Sequence, residues 1–454
     1  MSNSMVTDLT TGSVPKLLLK FAFPLFLSNA LQAIYNIVDM IVVGQYLGGA
    51  GMSAVSTGGD ILHLLTFIAM GFSSAGQVLI AQDVGAKNFD RVKKTIGTMF
   101  TFLLIASLAI ALICLIIRKP MLGWLNTPQE AYDYTMDYTV TCIGGLVFIY
   151  GYNIVSAILR GMGDSKRPFV FVVIAAVLNL ILDIVFVVYL DMKVFGAALA
   201  TVIGQAVSVI ISLIYLYKKR ESFCFDFKIK SFAIDKGAFK RIVALGVPMA
   251  IQSAAVSLSK IVLMAWINMF GVVYSAMAGI YNKVGVMIAV VSNSFTTAGS
   301  SMIGQNLGGG RADRVPSILK TVTVCGIVIT ALLSAVMLIF PDQVYAAFTN
   351  DADVLTVAGI LTFPIILNFI GAATRSVSFS LINGSGNTKL NLAVAIIDGI
   401  ISRVGLAALF GFAMGMDCLG FWYGDALAGF VPIIIGICFL VSGKWKNVKK
   451  EEEL

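Results

Sequence analysis

Apolar runs of membrane-crossing length recur along this whole sequence, and that recurrence limits the possible folds more than any other feature. A helix needs about 20 apolar residues to cross a bilayer. The chain supplies twelve candidate runs, roughly 17–43, 53–78, 94–117, 134–158, 168–190, 195–217, 241–269, 276–302, 318–340, 354–382, 390–412 and 418–441. Of the 454 residues, 58% are hydrophobic and 12% are charged, against about 25% charged in a soluble globular protein. The expectation is an all-α polytopic membrane protein with no large soluble domain. Met1 to Ser13 is polar and leads into a full-length apolar run, which is not the layout of a signal peptide.

Charge in the connections sets the expected orientation. Lys16 and Lys20, Lys87 to Lys94, Arg160 to Arg167, Lys218 to Arg241, Arg311 and Arg314, Lys389, and Lys444 to Lys450 fall in alternate loops. The intervening loops hold few basic residues, with Arg118, Lys119 and Lys193 as exceptions. Basic residues favour the cytoplasmic face, so both termini are expected there. The net charge of +8 is then a sign of membrane orientation and not of nucleic-acid binding. The ending KKEEEL reads as a solvated tail, and Asn383-Gly384-Ser385, a sequon on the cytoplasmic side, as meaningless for glycosylation. Six cysteines stand singly and His63 is the one histidine, which excludes a cysteine/histidine metal site. No G-x-x-x-x-G-K-[ST] run and no nucleophile–base set occurs, so neither ATP hydrolysis nor other enzymatic chemistry is expected.

The chain also repeats itself. AQDVGAKNFDRV (Ala81–Val92) matches GQNLGGGRADRV (Gly304–Val315), and AILRGMGDSK (Ala157–Lys166) matches SLINGSGNTK (Ser380–Lys389), both 223 residues on. Pro24 matches Pro248 at 224. The glycine turns Gly161-Met162-Gly163 and Gly384-Ser385-Gly386 then read as cytoplasmic connections. Two six-helix lobes in the same orientation follow, related by a pseudo-two-fold along the membrane normal. The expected division is 1–217 for the first lobe, 218–240 for a cytoplasmic linker, and 241–454 for the second lobe and tail. The alternating Phe223, Phe225, Phe227 and Ile229 suggest a linker lying on the membrane surface.

Ionisable groups inside apolar runs carry the functional reading. An acid at the centre of a membrane helix costs roughly 2.5–3.5 kcal/mol on insertion scales, so it usually has a role and a partner. Asp39 lies deep in the first run and Asp183 in the fifth, with Asn36 and Asn179 on the same helix faces. Counting about 1.5 Å per residue puts both acids and Thr201 of the sixth run in the outer half of the bilayer, with Asn153 lower. Two carboxylates with amide and hydroxyl oxygens suit a hard cation such as sodium, at Asp39, Asn179, Asp183 and Thr201. Two such acids can equally share a proton. In the second half the positions matching Asp39, Val262 or Leu263, are apolar, and Asp60 aligns with Lys283 or Asn282. Lys260, Arg375 and Arg403 add cations there, so the first lobe reads as acid-rich and the second as base-rich. Lys260 and Arg403 are expected to snorkel or pack between helices, while Lys283 and Arg375 are read as cavity-lining. Pro24 and Pro248 are expected to bend their spans.

The paired repeat loops, the LRGMGDSK turn, PLFLSNALQAIYNIVDMIVVG in the first run and Gly196 to Thr201 in the sixth resemble the multidrug and toxic compound extrusion (MATE) family across essentially the whole chain. The pattern is most similar to the branch named for DNA-damage-inducible proteins. The resemblance implies twelve helices in two lobes, exporting cationic or amphiphilic compounds against inward flow of sodium or protons. It implies that the first-lobe cation site falls on Asp39, Asn179, Asp183 and Thr201 with Asn153 added, and that Gln32 and Tyr35, beside Asn36, line the substrate cavity. Another branch has a glutamate in span 7 and an aspartate in span 10; here those places are Val256 and Ala372, so coupling is expected to rest on the first lobe.

The expectation is therefore a monomeric, cation-coupled antiporter in the cytoplasmic membrane of a prokaryote. It needs no cofactor beyond the coupling ion, sodium or proton, and no nucleic acid. Its partners are a small-molecule substrate and the surrounding lipid. The alternative is a flippase for a lipid-linked saccharide on a related fold, for which Lys260, Lys283 and Arg375 would hold a pyrophosphate.

Overall fold

The computed structural model describes residues 6–125, 127–349 and 351–446. The ending at 449–454, read as a solvated tail, and the first residues of the polar leader lie outside the described residues. Ten helical runs are long and apolar enough to cross a membrane, and Gln129–Gly144 with Leu146–Gly161, bent by 49°, makes an eleventh. The first run, Val14–Gly85, joins two helices across one residue, Gly48, at φ 65° and ψ −156°. That conformation is open to glycine and strained for other residues, so two spans meet here without a loop. The described residues thus hold the twelve spans expected, in a chain with no described strand.

We label the spans of the first half α1 (14–47), α2 (49–85), α3 (Phe89–Ile116), α4 (Gln129–Gly144 with Leu146–Gly161), α5 (Lys166–Tyr189) and α6 (Lys193–Lys218). Those of the second half are α7 (Lys236–Asn268), α8 (Val272–Gly308), α9 (Val315–Ile339), α10 (Thr362–Ser385), α11 (Thr388–Ala413) and α12 (Asp417–Ser442). Pro24 and Pro248 sit inside continuous helix. The chain divides into two compact units, the first built on Phe23–Gly246 and the second on the chain from Val247 onward together with Leu9–Ala22. Within the second unit, the Leu9 amide donates to Gln305 Oε1 (3.0 Å) and Asn306 Nδ2 donates to the Leu9 carbonyl (3.1 Å).

The sequence repeat is a repeat of backbone geometry. After α2, the Asn88 amide donates to the Asp83 carbonyl (2.9 Å) with Lys87 at φ 56°; after α8, Arg311 donates to Asn306 (2.7 Å) with Gly310 at φ 70°. Each partner lies 223 residues from its counterpart. After α4, Gly163 at φ 84° leads into Asp164, whose Oδ1 accepts from the Arg167 amide (3.3 Å). After α10, Gly386 at φ 71° leads into Asn387, whose Oδ1 accepts from Leu390 (3.0 Å). Each of these glycine stretches is therefore a helix exit followed by a helix cap. The breaks at Gly48 and Gly271 (φ 103°) keep the same spacing.

The spacing then grows by one residue. At the end of α5, Leu190 donates to Val185 and Met192 to Phe186; at the end of α11, Met414 donates to Leu409 and Met416 to Phe410, now 224 residues on. The added residue coincides with a π-helical turn, Ile397–Ser402, while the corresponding part of α5 is regular α-helix. A π turn spans one residue more than an α turn, so it absorbs a single insertion without breaking the helix.

The segment after α6 does not follow its sequence reading. Phe223 and Phe225 are buried, and Phe225 and Phe232 pack on Phe100 of α3 with ring centroids 6.3 and 5.8 Å away. Only Ile229, at 92% exposure, stands clear. The alternating aromatics therefore dock into the first unit instead of lying on a membrane surface. Lys93 pairs with Asp226 (2.8 Å) and Lys94 with Asp235 (3.3 Å). Gly97 makes the approach possible, since a Cβ there would lie 1.8 Å from the Ser231 carbonyl oxygen.

Gly97→Val should push this segment off α3 and expose 223–232 to protease in detergent micelles, where the wild-type segment resists. The hydrogen bond from Lys93, aided by one from Ser231, holds the Asp226 carboxyl well below the usual carboxylate range. A group lowered on folding stabilises above its unfolded value and loses that contribution as pH falls through the folded one. Protection of the segment should thus be unchanged from about pH 8 to about pH 5 and weaken only in stronger acid.

Candidate functional site

In the first unit, α1, α4, α5 and α6 converge on Asp39 and Asp183. Gly145 and Gly204 allow this. A Cβ on Gly145 would meet Val202 at 2.4 Å, and one on Gly204 would meet the Ala175 carbonyl oxygen at 3.0 Å, so α4 and α5 both press closely on α6. Asp39 and Asp183 are both buried, and each carboxylate lies within the electrostatic reach of the other. Asp39 Oδ1 and both oxygens of Asp183 have no hydrogen-bond partner. Among the described residues neither acid forms a salt bridge. Around them lie Tyr138 and Cys142 of α4 and the apolar side chains of Val43, Val187 and Ala197.

Asn179 and Thr201 join the same region. Asn179 Nδ2 donates to Thr201 Oγ1 (3.3 Å), and Thr201 Oγ1 lies 3.2 Å from the Ala197 carbonyl. Together with Tyr35 and Gln205 they line a cavity of about 10 Å³, which is room for one water or one dehydrated ion and not for a drug. Tyr35 lies beside Gln205 and within the field of Asp39. Asn153 is half-buried, and its amide donates to Ile149 of its own helix (2.8 Å) rather than to a carboxylate. Gln32 is half-buried and Asn36 is exposed. Of the residues singled out in the sequence, Asp39, Asp183, Asn179, Thr201 and Tyr35 thus come together, while Asn153 bonds within α4 and Asn36 is exposed.

The second unit departs from its base-rich reading. Arg403 does not snorkel. It is buried between Asp398, with Nη2 3.6 Å from Oδ1, and Asp425, to which Nη1 donates. Arg375 Nη1 lies 3.4 Å from Asp398 Oδ2, with its guanidinium over the Phe379 ring. The Tyr281 hydroxyl donates to Asp425 Oδ2 at 3.0 Å. Lys283 is exposed. Asp398 and Asp425 were missed in the sequence because they fall on no repeat position that carries an acid in the first half. Three cations in otherwise apolar spans were the available signal, since each needs a counter-charge. Asp398 lies in the inserted π turn, so the extra residue brought an acid with it.

Arg403→Met should strand the buried Asp425 and leave Asp398 with Arg375 alone. Removing one partner of a buried ion pair costs about 3–5 kcal/mol, which should appear as a large fall in the Tm of the detergent-solubilised protein. Adding Asp398→Asn and Asp425→Asn should restore part of it.

Comparison with known proteins extends these observations. The MatE family pattern matches residues 24–185 and 248–416, one stretch in each half. The chain is 26% identical over 439 residues to "Probable multidrug resistance protein YoeA" of Bacillus subtilis (strain 168), covering 96% of this chain and 94% of that protein. Among solved structures it resembles "Outward-facing conformation of a multidrug resistance MATE family transporter of the MOP superfamily" with TM-score 0.87, 21% identity and 98% of each chain covered. It also resembles "Reverse polarity of binding pocket suggests different function of a MOP superfamily transporter from Pyrococcus furiosus Vc1 (DSM3638)", with TM-score 0.88 and 22% identity over 97% of this chain and 98% of that one.

Proposed function

From the premise that this chain belongs to the MatE family, we propose that it is a cation-coupled antiporter exporting small amphiphilic or cationic compounds across the cytoplasmic membrane. A family of transporters leaves no place for an enzymatic reading, and the multidrug-resistance name of its relative supports drug export. The Lys and Arg pattern supports cytoplasmic termini. Beyond the small-molecule substrate and the lipid, the scheme requires the coupling ion alone, and the working unit is a monomer.

The observation that carries the coupling is a pair of buried carboxylates, Asp39 and Asp183, with unpartnered oxygens and no Lys or Arg bonded to either. Two like charges cannot both stay bare in an apolar interior, because each loses several kcal/mol of solvation that nothing returns. The pair must take up a proton or a cation when closed and release it when water enters. Asn179 and Thr201 supply further oxygens for a sodium ion. A membrane potential contributes about 2.3 kcal/mol per charge per 100 mV. At roughly 150 mV one ion then supports about 3.5 kcal/mol, a few-hundredfold substrate gradient.

Pairing of Arg375 and Arg403 with Asp398 and Asp425 also bears on the flippase alternative. It leaves less free positive charge to hold a pyrophosphate, which favours the exporter.

Efflux from proteoliposomes, under separately imposed sodium and proton gradients, tests the reading. Asp39→Asn and Asp183→Asn should each collapse the steady-state dye gradient towards unity, and wild-type accumulation by either variant would remove the coupling role. Thr201→Val separates the ions. It should weaken sodium-driven efflux about tenfold through loss of one oxygen ligand and leave proton-driven efflux unchanged.

A further inference from the structure

The second unit gathers five ionisable side chains into one group, with Asp398 and Arg403 on α11 and Asp425 on α12 buried, and Lys260 on α7 and Arg375 on α10 half-buried beside them. When all are ionised, three cations face two carboxylates and one positive charge is left over. Ion pairs account for both arginines and both acids. Among the described residues Lys260 has no ion pair within bonding distance, although it lies in the field of Asp425. The uncompensated charge therefore belongs to Lys260.

Lys260 lines a cavity of about 20 Å³ with Tyr281, Asn282, Trp422 and Asp425 among apolar neighbours. Each Asp425 oxygen there already accepts one hydrogen bond, one from Arg403 and the other from the Tyr281 hydroxyl. Trp422 is 1% exposed, and its indole Nε1 has no hydrogen-bond partner. An indole N–H and an ammonium can only donate. A buried donor without an acceptor costs about 1–3 kcal/mol, and here one such donor, Trp422 Nε1, belongs to the lining of a cavity that also carries the surplus charge of the half-buried Lys260. Both deficits are met by a single acceptor bearing one negative charge.

We propose that this cavity binds a small monovalent anionic group, held by Lys260 Nζ and Trp422 Nε1. The size admits an ion or one headgroup and excludes a whole drug molecule. The group comes either as a free inorganic anion such as chloride or as the carboxylate of a transported molecule. The site lies within the second unit and does not depend on the ion-coupling role given to Asp39 and Asp183.

The test uses the full chain in detergent, with gluconate, a bulky anion, as the reference salt at constant ionic strength. Replacing gluconate with chloride or with acetate should give a saturating rise in Tm. A response to chloride assigns a free anion, and a response to acetate alone assigns a carboxylate. Trp422→Phe should move the midpoint about tenfold higher in anion concentration through loss of one donor to a charge. Lys260→Met should abolish the response and, in gluconate, be at least as stable as wild type because the surplus charge is gone. Equal Tm in all three salts, or a wild-type response in Lys260→Met, would overturn the proposal. Should Lys260→Met fail to fold, the salt exchange on the wild type and on Trp422→Phe decides by itself.

Discussion

Burying charge away from water is the constraint on which the rest of this molecule turns. Each half carries acidic groups inside apolar helices, and each meets the cost differently. The second unit holds its counter-charges permanently, with Arg403 between Asp398 and Asp425 and Arg375 alongside. In the first unit, among the described residues, Asp39 and Asp183 have no such partner and keep oxygens that no side chain satisfies. A fixed ion pair is inert, because opening it exposes a bare charge on both sides. An unpaired carboxylate pair is responsive, because its counter-charge has to come from solution and can return there. The coupling proposed above therefore rests on the acid pair that has no fixed cation beside it.

The scaffold that carries these two solutions is one design used twice. Helix exits at Lys87 and Gly310, and at Gly163 and Gly386, use the same left-handed residue and the same hydrogen bonds 223 positions apart. Between the Gly163 and Gly386 turns and the ends of α5 and α11, the backbone differs by one inserted residue. The π turn Ile397–Ser402 absorbs that insertion and carries Asp398 with it. A regular helix at this point, as in α5, would give a different register to every residue between the insertion and the end of the span. The register of α11 in the second unit thus changes locally by one residue, with the turns before and after it keeping the hydrogen bonds of their first-half counterparts.

Glycine does comparable work in both halves by letting helices meet without side chains between them. Gly145 and Gly204 bring α4 and α5 onto α6, and this is what places Asn179 within hydrogen-bonding distance of Thr201. Gly97 does the same for the segment after α6, which would otherwise have no surface on α3 to occupy.

The sequence by itself determined the helical class, the twelve spans and the repeat, because each rests on local chemistry. A backbone in lipid has to satisfy its own hydrogen bonds, and glycine and asparagine turns keep their signature wherever they occur. The acids Asp39 and Asp183, with Asn179 and Thr201, were legible for a related reason, since a polar group in an apolar run stands out and helical spacing says which groups share a face. Pairing across helices was not legible. That Arg403 lies between Asp398 and Asp425, that Phe225 docks on α3, that Asn153 bonds within α4, and that Trp422 Nε1 and Lys260 border one cavity depend on contacts between residues far apart in the chain. Only tertiary packing decides those, because the charge or ring that completes each group comes from another helix.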